Sequence, residues 1–249
     1  MQAALPYRIP SGCGDRHKGD PRERLIVALD VSTAALAQWI VTAVGESCFT
    51  YKVGMQLYTA EGPRIVRDLV SSGRRVFLDL KYHDIPNTVA AAVHEAGQLG
   101  VSMLTVHAMG SAKMLRAAAE AAQAVNPAPI VLAVTVLTSL GEDDLERVGL
   151  AGTVLEEVQR LASLALSNQC SGVVASAHEA AALRSKLGDG FAIVTPGVRL
   201  VGSSHGDQVR VVTPSEAIAA GATHIVVGRP ITQAADPGAE AQKVLKQIS

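Results

Sequence analysis

The amino-acid sequence predicts a single α/β domain folded as a (β/α)8 barrel, the TIM-barrel architecture, and three observations support this prediction. The chain has 249 residues, close to the usual size of such a barrel. Hydrophobic residues make up 48% of the chain but aromatic residues only 3%, so the core consists mainly of small aliphatic side chains, as in buried parallel strands covered by helices. Short β-branched runs alternate with amphipathic segments, which is typical of repeated β-α units.

Eight strands are predicted where a short apolar run ends in polar or Gly-rich residues. They are Leu25–Asp30, Phe49–Val53, Val76–Leu80, Met103–Val106, Ile130–Thr135, Gly172–Ala175, Phe191–Thr195 and His224–Val227. Helices are predicted where apolar residues recur with helical spacing. They are Thr33–Val44, Pro63–Ser71, Thr88–Leu99, Ala112–Ala124, Thr153–Ser167, His178–Lys186, Pro214–Ala220 and Ile231–Gln247. Right-handed crossovers would close eight such units into a barrel, and a doubly wound open sheet is the alternative.

The predicted barrel spans residues 24–249, and residues 1–23 are expected to form a loose leader without the apolar stretch of a secretory signal. A net charge of −1 gives no support for binding to nucleic acid or to a membrane surface. The longest apolar runs, such as Ile130–Val136, are too short to span a membrane. Three widely spaced cysteines predict unpaired thiols and a cytoplasmic location.

Charged side chains follow the first three predicted strands, and in a barrel the carboxyl ends of the strands form the active-site face. Asp30 ends the first strand, Lys52 lies in the second, and Asp79 and Lys81 belong to the third. Because side chains alternate along a strand, Asp79 and Lys81 are expected to project to the same side. Inward charges are costly unless each has a partner or a task, so the Asp-x-Lys-x-x-Asp pattern that ends at Asp84 predicts an ionic cluster with a catalytic use.

Each of these residues also has a purely structural interpretation. Asp30 could cap the following helix, and Lys52 could extend along the surface towards solvent. The Asp-x-Lys-x-x-Asp pattern could be a structural ion-pair network. His107, after the fourth strand, is interpreted as a hydrogen-bonded structural residue rather than a base. The alternation of two acids with two lysines on neighbouring strands favours the functional interpretation of the cluster.

A phosphate site is predicted after the last two strands. Gly228 and Arg229 follow the eighth strand and open a helix, so backbone N–H groups and the helix dipole can face an anion. The guanidinium group of Arg229 adds a planar cationic fork. The polar segment Arg199–Arg210 is expected to close over a ligand. The alternative is an ordinary surface loop with a capping arginine.

From about Arg24 to its C-terminus the chain resembles the orotidine 5′-phosphate decarboxylase family, because a series of short motifs occurs in the same order. They are Leu29-Asp30, Lys52-Val-Gly54, Asp79-Leu-Lys-Tyr-His-Asp-Ile-Pro-Asn-Thr88, Val136–Ser139, Thr195–Arg199, Gly206–Gln208 and Val227–Pro230. The resemblance implies decarboxylation of orotidine 5′-phosphate to UMP, the last step of pyrimidine biosynthesis, by a (β/α)8 barrel that uses neither a metal nor a cofactor.

The resemblance also implies a role for each matching residue. Lys81 would protonate C6 of the pyrimidine after carbon dioxide has left, and Asp79 would lie against the substrate carboxylate. Lys52 and Asp84 would complete the charge array, with Asp84 and Thr88 reaching into the partner's site of a homodimer. The remaining assignments are Asp30 and Lys52 to the ribose, Thr138 to the pyrimidine, Pro196 to the substrate, and Arg199, Gln208, Gly228 and Arg229 to the phosphate end.

Two other functions stay open on the sequence. A decarboxylase or aldolase of the same suprafamily would act on a sugar phosphate and would use Mg²⁺; the Ile85–Thr88 continuation and Thr138 argue against it. A catalytically silent barrel that senses a nucleotide or phosphate is the other possibility. A binding protein, however, has no need of a lysine between two carboxylates.

Overall fold

The computed structural model describes residues 19–199 and 212–249. In this part of the chain, parallel strands form a closed barrel in the order β1 to β8, and β8 pairs with β1. The strands are β1 Leu25–Ala28, β2 Thr50–Gly54, β3 Arg75–Tyr82, β4 Met103–His107, β5 Ile130–Val134, β6 Gly172–Val174, β7 Ala192–Thr195 and β8 His224–Val227. The predicted fold class is therefore confirmed, and the open-sheet alternative is wrong.

Eleven α-helices within the described residues surround the barrel. They are α1 Ala34–Val44, α2 Met55–Glu61, α3 Arg64–Ser71, α4 Pro86–Gln98, α5 Ser111–Gln123, α6 Glu142–Arg147, α7 Val154–Ser167, α8 Ala177–Leu187, α9 Pro214–Ala219, α10 Arg229–Thr232 and α11 Pro237–Ile248. No helix among them is long and apolar enough to cross a membrane.

The helices differ from the prediction in two respects. The short helices α2 and α6 lie where no helix is predicted, since segments of six or seven residues give little periodic signal. The predicted last helix, Ile231–Gln247, is two helices, α10 and α11. Asp236 caps α11 by accepting a hydrogen bond of 2.9 Å from the backbone N–H of Ala239, and Pro237 fills the first helical position.

Alternation along the strands divides the core into two layers. Outward side chains, such as Val27 and Leu78, pack in a large cluster that extends to the helices. Inward side chains, such as Ile26 and Phe77, form a smaller cluster inside the barrel. Lys52 pairs in register with Phe77 and therefore also faces the interior. The barrel interior is thus apolar nearer the N-terminal ends of the strands and becomes charged towards their C-terminal ends.

Candidate active site

A cavity of about 270 Å³ opens at the C-terminal ends of the strands. One part of its lining is charged and comes from β1 to β3, with Asp30, Lys52, Asp79 and Lys81. Another part is apolar and comes from β5 to β8. The apolar residues of this part are Val134, Val136, Leu137, Val174, Val194, Pro196 and Val226. A flat molecule in the cavity can therefore meet ionic groups on one side and aliphatic side chains on another.

The four charged side chains form an alternating chain. Lys52 Nζ lies 2.9 Å from Asp30 Oδ1 and 3.6 Å from Asp79 Oδ2. Asp79 Oδ1 lies 2.9 Å from Lys81 Nζ, so Asp79 stands between two ammonium groups. Burial raises the pKa of the Asp79 carboxyl, but the charges of Lys52 and Lys81 and two side-chain hydrogen bonds outweigh burial and hold this pKa below its ordinary value. Asp79 therefore stays ionised although only 13% of its side chain is exposed.

The backbone of β3 is irregular at the site. Lys81 has φ of 54°, in the left-handed region that residues other than glycine rarely adopt. The register between β3 and β4 shifts between Leu78 and Tyr82, as at a β-bulge. Such backbone conformations cost on the order of 1–3 kcal/mol and cluster at functional sites. The strand prediction ended at Leu80 and gave no signal of this bend, because nothing in the composition of the run reports a local φ angle.

Thr105 is a site residue that sequence reasoning missed. Its hydroxyl lies 3.0 Å from Asp79 Oδ1, and its side chain is fully buried. A signal was available, since Thr105 is a polar residue in an apolar strand and lies two positions before His107, on the same face.

His107 is half-buried at the end of β4, with its ring centroid 5.5 Å from that of His83. Burial lowers the pKa of His107, and the nearby His83 and Lys81 lower it further, so the imidazole is neutral at pH 7. Its interpretation as a hydrogen-bonded structural residue stays a prediction.

Asp84 and Thr88 lie away from the charged cluster of their own chain. Both side chains are exposed, and Asp84 Oδ1 accepts a hydrogen bond of 2.6 Å from the backbone N–H of Ile85. Neither residue is among those that line the cavity in the described part of the chain. The sequence distance from Lys81 to Asp84 is short, but β3 ends at Tyr82, and Asp84 is exposed in the segment before α4 begins at Pro86.

The residues predicted for the pyrimidine and phosphate lie around the same cavity. Thr138, Pro196, Arg199, Gly228 and Arg229 all line it. Arg199 is buried, and its backbone N–H donates to the carbonyl of Val212 at 2.9 Å. Gly228 precedes α10 and lies beside Asp30 of the charged cluster. Gln208 lies outside the described residues. Two arginines thus join the cavity from the segments that follow β7 and β8.

Within the described residues, no group of three or more His, Cys, Asp or Glu side chains is arranged to hold a metal ion. The fold and the site together define a (β/α)8-barrel enzyme whose ionic cluster and arginines share one cavity at the C-terminal ends of the strands. The chain belongs to the orotidine 5′-phosphate decarboxylase / HUMPS family, whose model matches residues 23–244. The family predicted from the sequence motifs is therefore confirmed.

Relatives and solved structures agree with this membership. The chain is 50% identical over 226 residues to an orotidine 5′-phosphate decarboxylase of Halorhodospira halophila, a match that covers 91% of this chain and 96% of the relative. It is 47% identical over 239 residues to that of Sodalis glossinidius, covering 96% and 94%. The crystal structure of orotidine 5′-phosphate decarboxylase from Lactobacillus acidophilus matches with a TM-score of 0.82 and 36% identity, covering 91% of this chain and 99% of that one.

Proposed function

We propose that the protein decarboxylates orotidine 5′-phosphate to UMP and that Lys81 delivers the proton that replaces the carboxylate. The observation that carries the proposal is the 2.9 Å contact between Lys81 Nζ and Asp79 Oδ1 in a cavity that Arg199 and Arg229 also line. The choice of substrate is supported by the relatives described above, which are orotidine 5′-phosphate decarboxylases.

The chemistry explains why such a contact is needed. Loss of carbon dioxide from C6 leaves an electron pair in the plane of the pyrimidine, where the ring π-system cannot absorb it. The enzyme must then stabilise this charge with a preorganised positive group, and electrostatic stabilisation of this kind is usually the largest single contribution to catalysis. Lys81 supplies that cation, and the same ammonium group is the general acid that protonates C6.

Asp79 has two roles in the proposed reaction. It holds the ammonium group of Lys81 in one position through the 2.9 Å contact. It also faces the substrate carboxylate, so that repulsion is relieved as carbon dioxide leaves. Binding of the distant phosphate by Arg199, Arg229 and the Gly228 backbone offsets the cost of bringing these two anions together.

The other contacts are proposed residue by residue. Asp30 and Lys52 bind the ribose hydroxyls, Thr138 lies at the pyrimidine and Pro196 contacts the substrate, which is supported by their positions around one cavity. Gln208 binds the phosphate end, as the family resemblance implies.

We further propose a cytoplasmic homodimer in which Asp84 and Thr88 complete the partner's site. The proposal is supported by the exposure of both side chains and by Ile85 between them, an apolar residue that is 66% exposed. A charged residue and a large apolar residue that point outward beside an active site are suited to a contact with a second chain.

A metal-independent reaction fits the cluster better than the Mg²⁺-dependent alternative. Both oxygens of Asp79 face ammonium groups, Oδ1 towards Lys81 and Oδ2 towards Lys52. A divalent cation at Asp79 would therefore stand beside two positive charges. Turnover that is unchanged after dialysis against EDTA is expected; loss of turnover that Mg²⁺ restores would favour the sugar-phosphate chemistry instead.

The deciding experiment follows the near-UV absorbance of orotidine 5′-phosphate. Wild-type protein should consume the substrate, and Lys81→Ala should lose nearly all turnover while it still binds UMP in a calorimetric titration. Lys113→Ala, which removes an exposed lysine of α5, is the matched control and should keep wild-type turnover. Wild-type-like turnover in Lys81→Ala would sink the mechanism.

A further inference from the structure

The irregular segment of β3 faces a single residue of β4. Leu78 pairs with Leu104, and Tyr82 pairs with Val106, so three residues of β3 stand opposite Thr105 alone. At such a bulge the regular ladder is interrupted and a backbone group loses its usual partner. A buried backbone N–H without a partner is costly, so another acceptor is needed there.

The side chain of Thr105 provides that acceptor. The backbone N–H of Lys81 donates to Thr105 Oγ1 at 2.9 Å, and the Thr105 hydroxyl donates to Asp79 Oδ1 at 3.0 Å. The direction of both bonds is fixed, because an amide N–H can only donate and a carboxylate can only accept. One hydroxyl therefore joins the backbone of Lys81 to the carboxylate of Asp79.

The same carboxylate oxygen also binds the other end of the lysine. Lys81 Nζ lies 2.9 Å from Asp79 Oδ1, the oxygen to which Thr105 donates. Lys81 is thus held at its backbone by Thr105 and at its ammonium group by Asp79, in a closed ring of three hydrogen bonds. Asp79 is held in the orientation that leaves Oδ2 directed towards Lys52.

We propose that Thr105 is a positioning residue for the decarboxylation, because its hydroxyl fixes the strained backbone of Lys81 and the carboxylate of Asp79 at the same time. Thr105 is not among the described residues that line the cavity, so it is expected to act through Lys81 and Asp79. The inference rests on the proposed function, since the proton must reach C6 from one defined position. Catalytic groups need supporting hydrogen bonds of this kind, because small displacements of a reacting group greatly reduce the rate.

Thr223 offers a matched control at the opposite end of the barrel. Its Oγ1 accepts from the backbone N–H of Ile193 at 3.0 Å and lies 3.0 Å from the carbonyl of the same residue and 2.8 Å from His224 Nδ1. Thr223→Val removes a hydroxyl that joins two strands, as Thr105→Val does, but it leaves the cavity intact.

Steady-state kinetics with orotidine 5′-phosphate test the proposal. In Thr105→Val, kcat should fall about 10–100-fold while KM changes by less than about threefold, because orientation is lost but the binding groups stay. Thr105→Ser keeps the hydroxyl and should restore most of kcat. Thr223→Val should lower the unfolding temperature without changing kcat. If Thr105→Val does not fold, Thr105→Ala takes its place.

Two results would overturn the proposal. One is a kcat of Thr105→Val within about twofold of wild type. The other is an equal loss of kcat in Thr223→Val, which would show that any lost hydroxyl between strands reduces turnover.

A titration separates this inference from the proposed function. The charged or titratable groups around Asp79 are Asp30 after β1, Lys52 of β2, Lys81 of β3 and His107 of β4. The hydrogen bond from Thr105 helps to lower the pKa of Asp79, so its loss should raise the carboxylate transition in a ¹³C NMR titration of the ligand-free protein. If wild-type protein does not consume orotidine 5′-phosphate, the proposed function fails. This titration then decides on Thr105, and an unmoved transition in Thr105→Val would overturn its role.

Discussion

The two ends of the barrel bury polar groups with opposite results. At the N-terminal end, His224 is fully buried, and burial lowers its pKa to about 4, so it is neutral at pH 7. At the C-terminal end, Asp79 is mostly buried, with 13% of its side chain exposed, but stays charged, because Lys52 and Lys81 face its two oxygens. The comparison shows that burial alone removes charge, and that a buried charge persists only where the chain supplies opposite charges around it.

The largest expected effect comes from removing the charge of Asp79. Asp79→Asn leaves two lysines without their shared anion, and turnover should fall by about 10²–10⁴-fold, the range expected when a general acid loses its alignment. Initial rates with orotidine 5′-phosphate at saturating substrate measure the loss.

The same variant should change stability in a pH-dependent way. The pKa of Asp79 is lowered below 3.8, so its charged form stabilises the fold above that pH, and this contribution disappears as pH falls through the folded-state pKa. Asp79→Asn should therefore unfold more easily than wild type at pH 7, with the difference shrinking in acid. Equal unfolding free energies of wild type and Asp79→Asn at pH 7 would show that the charge of Asp79 does not stabilise the fold.

A mixing experiment tests whether the C-terminal end of the barrel is completed by a second chain. The Lys81→Ala and Asp84→Ala variants are each expected to be nearly inactive on their own. If Asp84 crosses the interface, mixed dimers contain one site with both residues intact, and activity should return after subunit exchange. Mixing Lys81→Ala with Asp79→Asn is the control. Both residues lie in the site of one chain, so no mixed site is complete and activity should stay low.

Much of the fold follows from the sequence because burial on both faces gives strands a strong signal. Val76 to Leu80 forms a continuous apolar run except for Asp79, and β3 lies there. Strand and helix ends shift by up to two residues where prediction and structure agree on an element, since chain ends carry weak local preferences. The short helix α6 is missed because its six residues lack an apolar stripe.

The site, like the fold, could be predicted from the sequence only in part. The contact of Asp79 with Lys81 agrees with side-chain alternation, a property of any strand. The hydrogen bonds that join Thr105 to Asp79 and to the Lys81 backbone could not be predicted, since they depend on which residues face each other across two strands. Register is a tertiary property, and a sequence of one strand does not contain it.

The N-terminal end provides a stability effect of intermediate size. The pKa of His224 falls from an ordinary value of 6.5 to about 4, so its neutral form stabilises the fold above pH 6.5, and that contribution is lost as pH falls towards 4. The linked loss is about 3 kcal/mol over this range, from roughly 1.4 kcal/mol per pKa unit. Urea unfolding at several pH values between 7 and 4 measures the slope of the unfolding free energy against pH. His224→Gln should flatten it, and an unchanged slope would assign the pH dependence to other groups.

The smallest expected effect concerns Thr50, a buried threonine at the start of β2. Among the described residues its Oγ1 has no hydrogen-bond partner, in contrast to Thr105, whose hydroxyl both accepts and donates. A buried hydroxyl without a partner has lost its hydrogen bonds to water without forming any in the protein. Thr50→Val should therefore stabilise the protein by about 1 kcal/mol. Turnover should stay unchanged, because Thr50 does not line the cavity.

Chemical denaturation of Thr50→Val beside Thr105→Val makes the comparison direct. The same exchange of a hydroxyl for a methyl group should raise the unfolding midpoint at one end of the barrel and lower it at the other. A loss of stability in Thr50→Val would mean that its hydroxyl has a partner after all.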